Sequence, residues 1–349
     1  MKFLGKNFKT LAAASFLTAG MVGSSMVSAS TTLVVGTWMP PTNAMNATAL
    51  PKWAEWVEEA TEGRVQVRIE HGAGNPANFY QMVEDGVLNA GWSFHGYLPG
   101  RFSLPMAVEQ PGLGVNAEAA SAALWQVHEK YFAAANQYEG LELLGLFTHG
   151  PGQIHTRRPI SSLSDLRNQR IRIGGGVQAV LGERMGVSAV SAPGSQVYEM
   201  LQQGVADGVF MPAGEQRSGR LAEVAQNLTL LPGGMYLGSF AFFIDPYFMD
   251  QLDPKDAEAI RSVSGYKFSA MAGAAWDKTD VQGIEFAREQ GVNIVEVGEN
   301  DPMMQEFRKL TEGMDEVWIN SVRRTGVDAA AALAELRELA HAYTEKNQE

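Results

Sequence analysis

The chain has 349 residues, 45% of them hydrophobic and 19% charged, which is enough apolar content for two domain-sized cores and too much for a disordered chain. Its 27 Lys and Arg against 39 Asp and Glu give a formal charge of −12, a poor balance for gripping nucleic-acid phosphates or an anionic membrane surface. Cysteine is absent, so disulfide scaffolds, thiolate metal centres and thiol catalysis are excluded, and no two of the six histidines lie at helical metal-ligand spacing.

Lys2, Lys6 and Lys9 precede an uncharged, small-residue-rich run from Leu11 to Val27, and Val27-Ser28-Ala29 offers small residues where a signal peptidase reads. Residues 1–29 therefore read as a cleavable export signal. A membrane anchor would need ~20 strongly apolar residues, and Ser15, Thr18, Gly20, Gly23, Ser24 and Ser25 dilute this run. Cleavage removes three lysines and no acid, taking the charge from −12 to −15. No later stretch is long and apolar enough to span a bilayer. The mature chain is expected outside the cytoplasm, in the periplasm, with no membrane insertion and no nucleic-acid partner.

Leu33 to Val35 reads as a strand, and Leu50, Trp53, Val57 and Ala60 recur at helical spacing ahead of Gly63. Val65, Val67 and Ile69 alternate with polar residues, the period of a half-buried strand. Strand, helix, strand in that order argues for βαβ units and a largely parallel sheet. Further strands are expected near Leu141 to Phe147, Ile171 to Ile173 and Val205 to Phe210. Asp253 and Pro254 open a helical run towards Gln290, and a later helix should bury Met304, Phe307, Leu310, Met314 and Val317. The segments Tyr80 to Asn89 and Tyr198 to Asp207 align without a gap on tyrosine, methionine, glycine and valine. Duplication of a helix–Gly–strand unit would give two lobes with a crevice between facing strand ends. Chance recurrence of a common junction is the alternative.

Arg172 stands near the end of the alternating strand Arg170 to Ile173, which runs into Gly174-Gly175-Gly176 and a helix. A guanidinium beside open helix N–H groups suits a carboxylate; an edge strand with solvated arginines fits the same pattern. The loose dinucleotide pattern Gly174-x-Gly176-x-x-Ala179 lacks the acid that should hold a ribose, and no cofactor is expected. Among the aromatics, Trp38 and Tyr97 follow strands beside glycine or proline and are the better site candidates, with Phe79 and Phe94 nearby. Trp92 and Phe94 should face one way and Ser93 and His95 the other. His149 and His155 flank Gly150-Pro151-Gly152, a spacing open to a shared metal that nothing else supports. No nucleophile elbow or H-E-x-x-H pair occurs.

Ser162 to Arg172, reading SLSDLRNQRIR, resembles the "sl-DLKGLKIR" signature of the TRAP-transporter solute-binding proteins of the DctP type. Tyr198-x-x-Leu201-Gln202-x-Gly204-Val205-x-Asp207-Gly208 is similar to that family's "Y-ALQ-GVVDG" segment, and shorter matches cover essentially the whole mature chain. The resemblance implies an α/β, two-lobed periplasmic binding protein of type II-like form, with mixed sheets flanked by helices and a long helix linking the lobes. Lobe I is expected at 30–149 plus about 239–277, and lobe II at 150–238 plus about 278–349. It also implies a small organic acid as ligand, TRAP permease membrane subunits as partners, and no catalysis.

Position by position, the resemblance makes Arg172 the arginine that pairs with the ligand carboxylate and puts Trp38, Phe94 and His95 at site positions. Phe79, Tyr97, Gly174 and Met211 complete the candidate set. A second arginine found in sialate-type members falls on Gly152, an asparagine after "DG" falls on Met211, and the usual glycine of the signature is Asn168. Fewer polar partners and more apolar ones suggest a small monocarboxylate with an apolar or aromatic body. A secreted hydrolase or lyase on a two-lobed scaffold and a ligand-presenting sensor subunit are the rival readings.

Overall fold

The computed structural model of the chain describes residues 30–347, so the export signal read over residues 1–29 lies outside it. The chain opens with β1 (Thr31–Thr37), α1 (Leu50–Ala60), β2 (Val65–His71), α2 (Phe79–Glu84) and β3 (Ala90–Phe94). Helix α3 (Ala117–Val127) and β4 (Glu142–Thr148) follow, and β5 (Gly152–Thr156) enters a second sheet. There β6 (Arg170–Ile173), α4 (Val177–Met185), β7 (Ser188–Ser191), α5 (Val197–Gln202) and β8 (Gly208–Pro212) repeat the opening alternation. Next come α6 (Glu215–Ser218), β9 (Asn227–Leu230), β10 (Ser239–Ile244), α7 (Pro246–Asp250), α8 (Pro254–Ser262) and the 24-residue α9 (Tyr266–Glu289). Strand β11 (Asn293–Glu296), α10 (Pro302–Thr311), α11 (Met314–Ser321) and α12 (Ala329–Lys346) complete the order.

One sheet runs β2-β1-β3-β10-β4 and the other β11-β9-β5-β8-β6-β7. Each is mixed: β10 lies antiparallel to β3, and β5 antiparallel to β8. The quartets β2-β1-β3-β10 and β7-β6-β8-β5 therefore have the same topology, and the aligned segments sit at the same junction in both. Gly86 and Gly204 take φ of 69° and 70°, which glycine adopts without strain. Val87 N–H and Val205 N–H each close the preceding helix on Met82 O and Met200 O at 2.8 Å. Asn89 and Asp207 then each accept a backbone N–H from the neighbouring parallel strand, Val34 at 2.8 Å and Arg170 at 3.0 Å. The turn consumes residues 204–207, so β8 starts at Gly208 rather than Val205.

Several boundaries differ from the periodicity reading for local reasons. Gly265 at φ 63° separates α8 from α9, and Gly313 at φ 75° separates α10 from α11, leaving Val317 54% exposed. Every residue of β3 is buried, and so is His95 directly after it. Asn168 takes φ of 61°, the left-handed turn for which asparagine is tolerated. Helix α9 joins both cores, packing Phe268, Ala272 and Trp276 in the first and Ala287 on the second side. The end of the chain departs from the expected division at about 278–349. Met314 lies in the core of the second sheet, but Trp318, Leu333, Leu336 and Ala340 pack on the first, where α12 covers the apolar face of α3. No helix among the described residues is long and apolar enough to cross a membrane.

Candidate ligand-binding site

The strand ends of the two sheets face each other across a narrow cavity. The first sheet supplies Trp38 after β1, Phe94 at the end of β3, His149 after β4 and Phe240 at the start of β10. The second supplies Arg172 from β6, Gln178 from α4, and Met211 and Pro212 from β8, with Tyr236 from the loop between β9 and β10. Trp276 closes the cavity from α9.

The walls are fixed. Trp38 donates its indole N–H to Trp92 O at 3.0 Å and lies 4.6 Å from the Trp92 ring, with Tyr97 edge-on at 5.6 Å. Tyr97 accepts Gly194 N–H at 2.9 Å, a contact that crosses from one sheet's unit to the other. Tyr236 donates its hydroxyl to Phe210 O at 3.1 Å. A Cβ on Gly152 would lie 2.2 Å from the Tyr236 ring, so the position on which the resemblance places a second arginine is given over to an aromatic wall.

Arg172 is 2% exposed. Its Nε and Nη2 both donate to Ala192 O, at 2.9 and 2.6 Å, and it makes no ion pair among the described residues. Arg170, two residues earlier at the start of the same strand, is the solvated arginine and pairs with Asp207 at 2.7 Å. The buried Glu215 carboxyl is pushed up to about 7 by burial, against hydrogen bonds from Ser218 and Asn43 and the positive charge of Arg172. A desolvated guanidinium is thus left with most of its N–H fork directed at no carboxylate of its own.

The expectation of open N–H groups at the α4 N-terminus is corrected. Glu109, fully buried, reaches across and accepts Val177 N–H at 3.0 Å on Oε2, while Oε1 accepts Ser239 N–H at 3.0 Å and Ser239 O–H at 2.6 Å. Burial pushes its carboxyl above the usual range, and these three donors pull it back. Gly174 donates its own N–H to Gln178 Oε1 at 2.9 Å and lines Arg172 rather than the cavity. The glycines serve close approach instead: a Cβ on Gly175 would lie 2.1 Å from Gly96 O of the first unit.

Phe79 and His95 are corrected too. Phe79 fills the hollow left by Gly36 and Gly91 between α2 and the first sheet, where a Cβ on either glycine would stand 3.0–3.1 Å from its ring. His95 lies behind the cavity wall. Since Ser239 O–H is committed to Glu109, Ser239 Oγ accepts from His95 Nδ1 at 2.9 Å, and Tyr138 O–H donates to Nε2 at 2.6 Å. Burial pushes this imidazole down to about 3. The ring holds Ser239 and Glu109 in place and touches no ligand space. His155 is equally buried, bonded to Met211 O and Gln216, and no cluster of three metal-ligating side chains occurs among the described residues.

Of the candidate set, Arg172, Trp38, Phe94, Tyr97 and Met211 come together on the cavity. His149, Gln178, Tyr236, Phe240 and Trp276 were not singled out as ligand contacts. His149 directly follows a strand and precedes Gly150, the same signal that pointed to Trp38 and Tyr97, and could have been found that way.

The model of the family described as bacterial extracellular solute-binding protein, family 7 (DctP), matches residues 35–321. The chain is similar to a crystal structure of a TRAP periplasmic solute-binding protein from Bordetella bronchiseptica with bound (R)-mandelate and (S)-mandelate, at 33% identity and a TM-score of 0.86, covering 89% of this chain and 99% of that one. A marine-metagenome TRAP solute-binding protein specific for aromatic acid ligands, in complex with 3-hydroxybenzoate, is 28% identical with a TM-score of 0.83 and covers 90% and 99%. The "Outer membrane transporter protein TsaT" of Comamonas testosteroni is 27% identical over 305 residues, 86% of this chain and 89% of that protein.

Proposed function

The chain belongs to bacterial extracellular solute-binding protein family 7, the TRAP-transporter solute-binding proteins, and from that premise we propose that it encloses a small aromatic monocarboxylate between its lobes. The observation that carries the reading is Arg172, a buried guanidinium with no carboxylate partner among the described residues. An unpaired buried charge is strongly unfavourable, and a ligand carboxylate removes that penalty through a bidentate contact that suits the guanidinium fork. Charge-assisted hydrogen bonds contribute about 1.5–3 kcal/mol, whereas micromolar affinity needs about 8 kcal/mol. The balance comes from enclosing an apolar ring among Trp38, Phe94, Tyr97, Tyr236, Phe240 and Trp276. Tyr236 over Gly152 leaves no room for a second cation and disfavours sialic acids and dicarboxylates. The aromatic acids bound by the mandelate and 3-hydroxybenzoate proteins support the same ligand class.

In this reading the mature protein works in the periplasm, performs no catalytic step, and hands its closed, loaded form to TRAP permease subunits in the membrane. A thermal-shift screen of organic acids tests it. A ligand at a hundred times its dissociation constant adds about 2.7 kcal/mol, which raises the melting point by several degrees. Calorimetry should then show Arg172→Ala weakening the best acid at least about tenfold, with Arg172→Lys failing to restore it because lysine lacks the fork. Undiminished binding by Arg172→Ala would remove the arginine from the site and the reading with it.

A further inference from the structure

The carboxylate accounts for Arg172, but two polar atoms at the cavity wall remain without partners among the described residues. Trp276 is 3% exposed and lines the cavity, yet its Nε1 is fully buried with no acceptor. The ring is held parallel to Phe240 at 6.3 Å and lies 6.0 Å from the His149 ring. His149 Nδ1 stands 2.6 Å from Gly150 O, and a carbonyl only accepts, so Nδ1 carries the proton. Burial pushes this imidazole down to about 4, which leaves Nε2 an unprotonated acceptor near neutral pH. No hydrogen bond to Nε2 occurs among the described residues.

Phe94 separates these atoms from the guanidinium. A Cβ on Gly174 would lie 3.2 Å from both Arg172 Nη2 and Phe94 Cε1, whereas a Cβ on Gly238 would lie 2.5 Å from His149 Nε2 and 3.1 Å from Phe94 Cε2. The cation thus stands at one edge of the Phe94 ring and the free imidazole nitrogen at the other.

We propose that this far wall reads a hydroxyl group, so that the ligand is a hydroxylated aromatic monocarboxylate whose hydroxyl oxygen accepts the Trp276 indole N–H and whose proton is donated to His149 Nε2. This rests on the reading of the cavity as an aromatic-acid site. One oxygen satisfies both atoms at once. A methyl or hydrogen at that position leaves a donor and an acceptor unpaired, a second carboxylate brings a lone pair against Nε2, and an ammonium offers nothing to the indole N–H.

Calorimetric titration of the full mature protein with benzoate, 3- and 4-hydroxybenzoate and 3- and 4-methylbenzoate tests the assignment. At least one hydroxy acid should bind about ten- to a hundredfold more tightly than its methyl counterpart. In Trp276→Phe and in His149→Phe that ratio should fall to within about threefold, whatever happens to the affinity for benzoate itself. Two variants on different elements, each checked for a cooperative melt, guard against one failing to fold, and the wild-type ratio stands independently of both. Equal binding of hydroxy and methyl acids, as when a water bridges the two atoms, overturns the hydroxyl assignment, as does a ratio that survives both variants. In those cases benzoate would still bind in an Arg172-dependent way; no binding of any acid would sink the carboxylate reading instead.

Discussion

Replacing Arg172 by methionine should close the empty protein. In the closed arrangement the lobes meet so tightly at Gly175 and Gly96 that a Cβ would stand 2.1 Å from a carbonyl oxygen, and Arg172 is cut off from water with Ala192 O as acceptor and no carboxylate partner among the described residues. Leaving a charge buried without its partner costs about 3–5 kcal/mol, so closure without ligand is disfavoured and a bound carboxylate removes the obstacle. Methionine keeps most of the volume without the charge. It leaves Ala192 O without its donor, which costs about 1–3 kcal/mol. The net gain of about 2 kcal/mol for the closed form is a shift of about thirtyfold in its population. Because the chain has no cysteine, Glu59→Cys on α1 and Glu183→Cys on α4, both exposed, accept a fluorophore pair without interference. Single-molecule energy transfer should then show wild type open when empty and closed with an aromatic acid, and Arg172→Met closed about thirty times more often when empty and indifferent to acid. An empty Arg172→Met protein as open as wild type would refute the idea that the unpaired guanidinium holds the lobes apart.

Gly152→Ala should lower the melting temperature by several degrees and weaken ligand binding, because its Cβ would stand 2.2 Å from Tyr236 Cε1 and force the ring into the cavity. Over-packing of this kind costs about 1–3 kcal/mol, and an unchanged melt with unchanged calorimetry would mean that Tyr236 is not a fixed wall. Glu215→Gln should alter the pH dependence of stability. The folded value of about 7 lies above the ordinary 4.5, so the folded state holds this proton more tightly than the unfolded one and wild type loses stability as pH rises through that window. Glutamine has nothing to titrate, so its advantage over wild type in urea unfolding should widen by about 2–3 kcal/mol between pH 5 and pH 8; parallel pH curves would count against the buried acid.

The parts of the fold set by local pattern were legible. Val65, Val67 and Ile69 alternate because one face of β2 is buried, and the two helix–Gly–strand segments match because each needs the same left-handed turn before a buried strand. Arg172 could be placed since a strand running into three glycines must end there. What those glycines do was not legible, as the α4 N-terminus is filled by Glu109, 68 residues away in sequence. Phe79 and Phe94 look alike in sequence. They part company because Gly36 and Gly91 open a hollow on one face of the first sheet, and the register that aligns those glycines belongs to the pairing of β1 with β3. Trp276 sits among alanines on α9, and only the crossing of that helix over both lobes decides that it faces the ligand. The same holds for α12, whose apolar stripe suits either lobe until α3 presents its own.

Helix α9 carries two carboxylates three residues apart that grip different lobes. Asp277 accepts Ala117 N–H at 2.8 Å and Glu118 N–H at 2.9 Å at the start of α3, while Asp280 accepts Gly214 N–H at 2.7 Å beside α6. Their attachment points are separated by about 4.5 Å along the axis, so any swing of one lobe against the other has to be absorbed as twist in less than one turn of helix. The fold therefore contains a torsion bar rather than a slack joint, and Trp276 stands immediately beside its pivot. While both carboxylates keep these contacts, a ligand entering the cleft meets one surface that barely travels, and both lobes take their bearings from it as they come together.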